Sequence, residues 1–317
     1  MNNRRGHVPI AWHNTFQNKK RTLAALGGIT FSIVLIFMQL GLLNGARRGA
    51  STLYDYFDFD LVIVSDKYQY LDEADRFDVM RLFQARVEPG VDAVFRLNIG
   101  GGTWTDLASN ISSKALIFGI DNDPSFVRNE AVREGMHVFD EDNAVMLDLY
   151  SHKDYGDTSI GNGAEINGRD VTVAEHFTMG VTLFSDGAVF VDNTMFNRLV
   201  QGHSRMVTIG LVQVTPGADP VAMKESLEQS LPDDVLVYVR DVLVKQEQDY
   251  YVAVKPVGIL FQAGVIVAFV VGVVILFQVL STDIGNRINE FATMKAMGFA
   301  HTFIYGIDVH QRLLFST

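Results

Sequence analysis

Residues 23–43 read LAALGGITFSIVLIFMQLGLL and residues 256–280 read PVGILFQAGVIVAFVVGVVILFQVL, runs of 21 and 25 positions without a charged side chain. A helix rises about 1.5 Å per residue, so the shorter run already covers roughly 30 Å, the thickness of a bilayer's hydrocarbon. Both runs are therefore read as transmembrane helices. The first is too long for a cleavable signal, whose apolar part spans about 7–15 residues, and it is followed by Asn44-Gly45-Ala46-Arg47-Arg48 rather than a small-residue cleavage site. It is read as an uncleaved anchor.

Working outward, charge sets the orientation. Residues 1–43 carry five bases (Arg4, Arg5, Lys19, Lys20, Arg21) and no acid. That excess places the N-terminus in the cytoplasm and the segment between the spans on the far side, with the second span returning the chain. Residues 44–255 carry 34 acids and 18 bases, a net of −16. A surface of that sign does not take nucleic acid, because phosphate needs cations. The chain has no cysteine, which excludes disulfides, thiolate nucleophiles and zinc–thiolate centres. The far-side segment must be held by its own core, and about 210 residues suffice for one.

The flanks of the spans carry their own patterns. Gly41 and Gly45 form a GxxxG pair, and Gly264, Ala268 and Gly272 repeat every four positions, spacings that let helix backbones approach in lipid. Before the first span, Trp12 and Phe16 share a helix face and precede Lys19, Lys20 and Arg21. This predicts an interfacial helix in residues 1–22, aromatic toward lipid and basic toward anionic headgroups.

The segment 44–255 mixes α and β signals, so the fold class is an α+β membrane protein with two spans flanking one large domain. Strands are expected at 60–65, 91–99, 114–120, 144–149, 187–191, 206–214 and 235–239, with two short ones on either side of the Asn167-Gly168 turn. A helix is expected over 72–86, with Phe77, Met80 and Phe83 as its apolar face, and another from Pro220 with Asp219 as its cap. Gly100-Gly101-Gly102 reads as a turn between strands; it lacks the strand-to-helix context of a nucleotide-binding loop. The density of turns divides the domain into an α/β part (58–125 and 205–240) and a β-rich insert (126–204). From Val239, a stripe through Leu243, Gln246, Tyr250, Val254 and Val257 predicts one continuous helix running into the second span, with Lys255, Tyr250 and Tyr251 at the membrane surface.

Catalytic signatures are missing. No GxxxxGK[ST] loop, HExxH pair or GxSxG elbow occurs, and none of the eight histidines has metal-ligand spacing. The acid pairs Glu141/Asp142 and Asp233/Asp234 lie in turns and read as solvated surface. No catalytic residue, metal site or cofactor is expected.

After the second span, residues 281–299 read STDIGNRINEFATMKAMGF. As a helix they put Ile284, Ile288, Phe291 and Met294 on one face, set Arg287 and Glu290 one turn apart, and end at Gly298. The pattern Arg287-x-x-Glu290-x-Ala292-x-x-Lys295-Ala296-Met297-Gly298 resembles the coupling segment of the FtsX/MacB/LolC superfamily of ABC permeases. Ile10-Ala11-Trp12, Lys20-Arg21 and Gly28-Ile29-Thr30-Phe31 resemble its DevC subfamily, and Gly163 to Val173 resembles the β-rich half of a MacB-type periplasmic core. The resemblance implies a porter-like part with helical stalks, in a bacterial inner-membrane permease subunit that forms a homodimer. It implies a separate cytoplasmic ATPase of the MacB, LolD or DevA kind, a periplasmic membrane-fusion adaptor and an outer-membrane channel, with export of a glycolipid or other hydrophobic cargo. ATP-driven closure would move stalks and periplasmic domain. Members carry four spans; here residues 300–317 resemble only the onset of a third, which implies a truncated permease. The other layout that two spans allow is a membrane sensor with an extracytoplasmic ligand-binding domain, and an anchored extracytoplasmic enzyme is a third.

Overall fold

The structure, a computed structural model, describes residues 19–180, 186–200 and 205–298. The chain divides into two compact units, one holding both apolar helices and the other comprising Ala46–Lys255. The first helix, α1, spans Lys19–Gly49 and closes with Arg47 and Arg48 in its last turn, where cations favour the negative end of the helix dipole. Its apolar window is Leu26–Gly49.

Four strands of the second unit, β1 (Leu61–Ser65), β3 (Val91–Asp106), β10 (Ile209–Val214) and β11 (Val235–Val239), build an antiparallel sheet from two interleaved βαβ crossovers, the split-βαβ pattern. Between β1 and β3 lie the short β2 (Phe77–Asp78) and α2 (Met80–Arg86). Every residue of β1 is buried. It lies between β10 and β11 with both faces covered, which is why it reads as an unbroken apolar run rather than an alternation. The predicted helix over 72–86 is helical only from Met80. Phe77 instead pairs in β2 with Val207. The buried face of α2 is Leu82 and Ala85, while Met80 and Phe83 are exposed. The spacing of three was real, but those residues face solvent.

The chain then runs through β4 (Ser112–Ile120), α3 (Glu130–Gly135), β5 (Ala144–Asp148), β6 (Gly163–Ile166), β7 (Arg169–Phe177), β8 (Gly187–Asp192), α4 (Asn193–Leu199) and β9 (Met206–Val207). It returns to the sheet as β10 (Ile209–Val214), α5 (Pro220–Ser230) and β11 (Val235–Val239). Asp219 accepts from the Val221 N–H at 3.0 Å and Pro220 takes the first position of α5, where a missing N–H costs nothing. The strand predicted over 206–214 is interrupted at Thr208, whose N–H goes to the Asn98 side chain. All the strands but β2 and β9 join one nine-stranded sheet in the order β11-β1-β10-β3-β4-β8-β5-β7-β6, and β6 pairs again with β3.

That last pairing turns the insert into a closed barrel. Trp104, Thr105 and Asp106 of β3 meet Ile166, Glu165 and Ala164 of β6, so β3, β4, β8, β5, β7 and β6 form a ring. Its interior holds Trp104, Ile117, Val145, Leu147, Val173 and Val189. The Trp104 indole donates to the Tyr155 carbonyl at 3.1 Å and stacks on the Tyr155 ring. Barrel and open sheet share β3 and β4, so the insert is a continuation of the α/β sheet and not a separate layer. Gly100, Gly101 and Gly102 form no turn. They lie inside β3, paired with Ile117, Leu116 and Ala115. A Cβ on Gly100 would come within 2.8 Å of Val200, and one on Gly119 within 2.5 Å of Phe196. These glycines let α4 and the residue after it lie directly on the sheet.

Two further cores flank the sheet. On one face Leu82, Ala85, Met223 and Leu227 of α2 and α5 cover Leu61, Ile63, Val212 and Val237. On the other, Phe126 stacks between Phe57 and Phe95, with centroids 5.6 and 4.4 Å away. Each such ring buried contributes about 1.5–3 kcal/mol of transfer free energy.

After β11 the chain forms α6 (Arg240–Val254) and α7 (Pro256–Ala296). The expected continuous helix is broken at Lys255, whose φ of −73° and ψ of 137° are extended. Pro256 is the cause: its ring disfavours the helical conformation in the residue before it, and it has no N–H to donate.

Candidate functional site

The resemblance points to two places: the helices that would lie in the bilayer and the segment after the second. Helix α7 carries the second apolar window, Gly258–Val279. In both windows 6% of residues are buried, so these helices present apolar side chains outward and are not the core of a soluble fold.

The two helices meet along a line of small residues. Ala268 is buried, and a Cβ on Gly272 would lie 3.5 Å from Ser32 Cβ and Ile36 Cδ1. A Cβ on Gly264 would press on Gln39 Oε1 at 2.5 Å, and one on Gly28 on Ile275 at 3.0 Å. Ser32 is buried in this seam and returns its hydroxyl to the Gly28 carbonyl at 2.9 Å. The repeat Gly264, Ala268, Gly272 thus faces α1. Gly41 and Gly45 do not share the seam, since no described atom lies within 4 Å of a Cβ on either. On α1 the seam is lined instead by Gly28 and Ser32, which are spaced identically. A serine that bonds its own helix counts as small, and small-xxx-small was the signal that would have found it.

The segment from Arg287 to Ala296 is not a separate helix. It continues α7 without a break. Arg287 and Glu290 lie within the helix; Ala292, Lys295 and Ala296 are exposed in its last turns; Met297 and Gly298 follow, also exposed. Gly298 adopts φ +86° and its N–H bonds the Lys295 carbonyl at 3.0 Å, a left-handed stop that suits glycine. Lys19, Lys20 and Arg21 open α1. Trp12, Phe16 and the expected third-span onset at 300–317 lie outside the described residues.

The helix leading to the second span is fastened to the domain by Leu243 and Tyr250 of the apolar stripe together with Glu247 and Tyr251, which the stripe did not include. The buried line of α6 is Leu243, Glu247 and Tyr251; Gln246 and Val254 lie off it. Glu247 is 3% exposed. Its carboxylate accepts the Tyr68 hydroxyl and, at 3.1 Å, the Leu71 N–H, and the Tyr54 and Tyr68 hydroxyls lie 2.9 Å apart. Burial, reinforced by the Glu247 charge, holds the Tyr54 phenol well above its ordinary range. Burial and the neighbouring Tyr54 and Glu247 do the same to Tyr68. One turn further on, Tyr250 stacks on Tyr70 with centroids 4.9 Å apart, and the Lys255 ammonium sits 4.0 Å above the Tyr70 ring. Lys255 also donates to the Tyr70 hydroxyl and reaches Glu73 at 3.4 Å. Residues 68–73 thus grip α6 along about 12 Å of its length. These tyrosines and Lys255, expected at a membrane surface, are engaged within the domain. From the other side Ser51, just past α1, accepts from Gln248 at 2.9 Å. A single acid hides such a line, because a buried glutamate breaks the apolar pattern that periodicity reads.

Among the described residues no group of three His, Asp or Glu side chains could hold a metal ion. What the arrangement offers is stiffness, in paired helices, an unbroken rod and a gripped connector.

No protein-family model matches this chain, nor does any curated protein sequence. Solved structures do resemble it. The periplasmic region of MacB from Actinobacillus actinomycetemcomitans aligns over 61% of this chain and 94% of its own, at 12% identity and a TM-score of 0.44. The extracellular domain of the noncanonic ABC-type transporter YknZ from Gram-positive bacteria aligns over 57% and 98%, at 12% identity and a TM-score of 0.40. A permease-protein domain from Porphyromonas gingivalis aligns over 58% and 89%, at 14% identity and a TM-score of 0.36.

Proposed function

We propose that the chain is the permease subunit of an ABC-type exporter. In this reading its N-terminus is cytoplasmic, Ala46–Lys255 is the extracytoplasmic domain, and ATP hydrolysis in a separate chain moves that domain to export a glycolipid or other hydrophobic cargo. An adaptor, an outer-membrane channel and a second permease copy complete the assembly.

The observation that carries the reading is the continuity of α7. A single helix of 41 residues holds both the apolar window and the segment Arg287–Ala296. The window needs about 33 Å of it, and the 17 residues beyond Val279 add about 25 Å more. A partner gripping the exposed end at Ala292, Lys295 and Met297 would hold a rod whose other end crosses the bilayer. A helix transmits a push along its axis because its hydrogen bonds run that way, whereas a hinged loop would absorb it.

The test is co-purification of the full chain with a co-expressed ABC ATPase, comparing the native sequence with a variant carrying Arg287→Glu, Glu290→Lys and Lys295→Glu. The expected result is loss of the complex and of any permease-stimulated ATP hydrolysis, with the variant still inserted in the membrane. A complex that survives the triple charge reversal defeats the proposal.

A further inference from the structure

The nine-stranded sheet has one open edge among the described residues. Its far strand, β6, closes back on β3, which leaves β11 alone with an unpaired side. The register shows which groups face outward. Arg240 N–H donates to the Asp60 carbonyl at 2.9 Å and Asp66 N–H to the Asp234 carbonyl at 3.0 Å. Val62 opposes Tyr238 and Val64 opposes Leu236. Bonded positions alternate in an antiparallel pair. The even-numbered residues of β11 therefore bond to β1, and Val235, Val237 and Val239 aim their main-chain groups away. Val235 N–H turns back to the Pro232 carbonyl at 3.4 Å, while the N–H groups of Val237 and Val239 meet no described acceptor.

Folded proteins blunt such edges with charge, proline or a bulge. Val235–Val239 has none of these: its sequence is Val-Leu-Val-Tyr-Val and its register with β1 is regular. A groove of about 260 Å³ runs beside it, lined by Glu228, Leu231, Pro232 and Asp233 together with Val235 and Val237. The edge is thus open and aliphatic, with outward N–H groups that meet no described acceptor.

We propose that β11 is a strand-addition site for an extended segment of another protein, apolar along its middle and carrying Lys or Arg at its ends. Main-chain bonds to Val237 and Val239 would supply the ladder, and the groove would receive alternate side chains. Charge decides between this occupant and a second copy. Pairing β11 with itself about Val237 sets Asp233 of each copy opposite Asp241 of the other, like charge on like; it also sets Asp234 opposite Arg240, but these two are already held within the chain by Arg81 and Asp55. Asp233 forms no ion pair among the described residues, and the domain around it has a net charge of −16. A basic strand satisfies both. This inference rests on the sheet alone and stands or falls apart from the permease reading.

The experiment uses the full chain in nanodiscs and a fluorescent peptide, Lys-Val-Thr-Val-Thr-Val-Lys, with a Glu-ended twin and a twin whose central Val is Pro. Anisotropy should report binding of the Lys-ended peptide alone, and amide exchange should slow at Val237 and Val239. Val237→Pro removes an outward N–H and no bond to β1. It should weaken binding about tenfold or more, whereas Val237→Ala, which truncates the same buried side chain but keeps the N–H, should lower the melting temperature and bind as before. Asp233→Asn should narrow the preference for Lys over Glu ends. The proposal is overturned if the Lys-ended peptide does not bind, if it binds without protecting those amides, or if Val237→Pro binds it equally. It is also overturned if the chain self-associates and Val237→Pro abolishes that.

Discussion

Glu247 accepts the Tyr68 hydroxyl across 179 residues of chain, and with the Leu71 N–H it closes a buried polar contact between α6 and the segment after β1. Removing the acceptor strands two donors. Glu247→Ala should cost about 1–3 kcal/mol for each donor left unsatisfied, whereas Glu247→Gln, which keeps an acceptor, should cost less. Thermal melting of the full chain in detergent ranks the two. Equal losses would mean that the carboxylate is not bonded as described.

Tyr56 gives a pH dependence with a definite sign. Burial, and then the Asp148 carboxylate, push its phenol up to about 12, and the unfolded chain titrates near its ordinary value of about 10. The folded state therefore holds a proton that the unfolded state loses. The stability this contributes is whole below pH 10 and is lost as pH rises toward about 12. Tyr56→Phe sacrifices the bond to the Thr178 carbonyl, about 1 kcal/mol at neutral pH, and should flatten the alkaline limb. Melting curves from neutral to strongly alkaline buffer check both effects.

Cross-linking tests the helix seam cleanly because the chain has no cysteine of its own. Ser32 Cβ lies 3.5 Å from where Gly272 would place one, within the roughly 3.5–4.5 Å a disulfide spans. Ser32→Cys with Gly272→Cys should oxidise readily to a faster-migrating species. Gly41→Cys with Gly272→Cys should stay reduced within one chain, Gly41 having nothing within 4 Å. A reduced first pair would show that α1 and α7 do not meet here.

Two glycines in the same sheet should respond with opposite signs. Gly119→Ala forces a methyl to within 2.5 Å of Phe196 and 2.9 Å of Asn193 Oδ1 and should destabilise by about 1–3 kcal/mol. Gly101→Ala meets no described atom within 4 Å and should be neutral or stabilise by up to about 1 kcal/mol through the unfolded chain. Their melting temperatures, measured side by side, decide it.

What could be read in the residues alone was whatever had a simple period or a single cause. The apolar runs, the Asn167-Gly168 hairpin with its φ of 52° and 75°, and the Asp219 cap all belong there. The open sheet and the β-rich set were also legible, as 60–65 and 235–239 bracket the domain. Three features were not, each for a physical reason. The glycines at 100–102 look like a turn because what requires Gly100, the helix carrying Phe196, is nearly a hundred residues away. Met80 and Phe83 look like a buried face because periodicity does not say which side meets solvent. Glu247 looks like a break in a stripe because its partners are hydroxyls and a backbone N–H, which leave no apolar trace. Of the helix contacts, the spacing of Gly264, Ala268 and Gly272 was visible but the face opposite them was not, because Gly28 and Ser32 were obscured by the more conspicuous Gly41/Gly45.

Strand β3, sixteen residues long, has a consequence for modularity. Its first half pairs with β10 and its last three residues with β6, while β4 lies along it from Leu97 to Thr105. The barrel therefore cannot be cut out like a cassette or grafted elsewhere as one. Any excision between β3 and β10 strips half of a shared ladder from the part left behind, so barrel and sheet must be inherited, and lost, together.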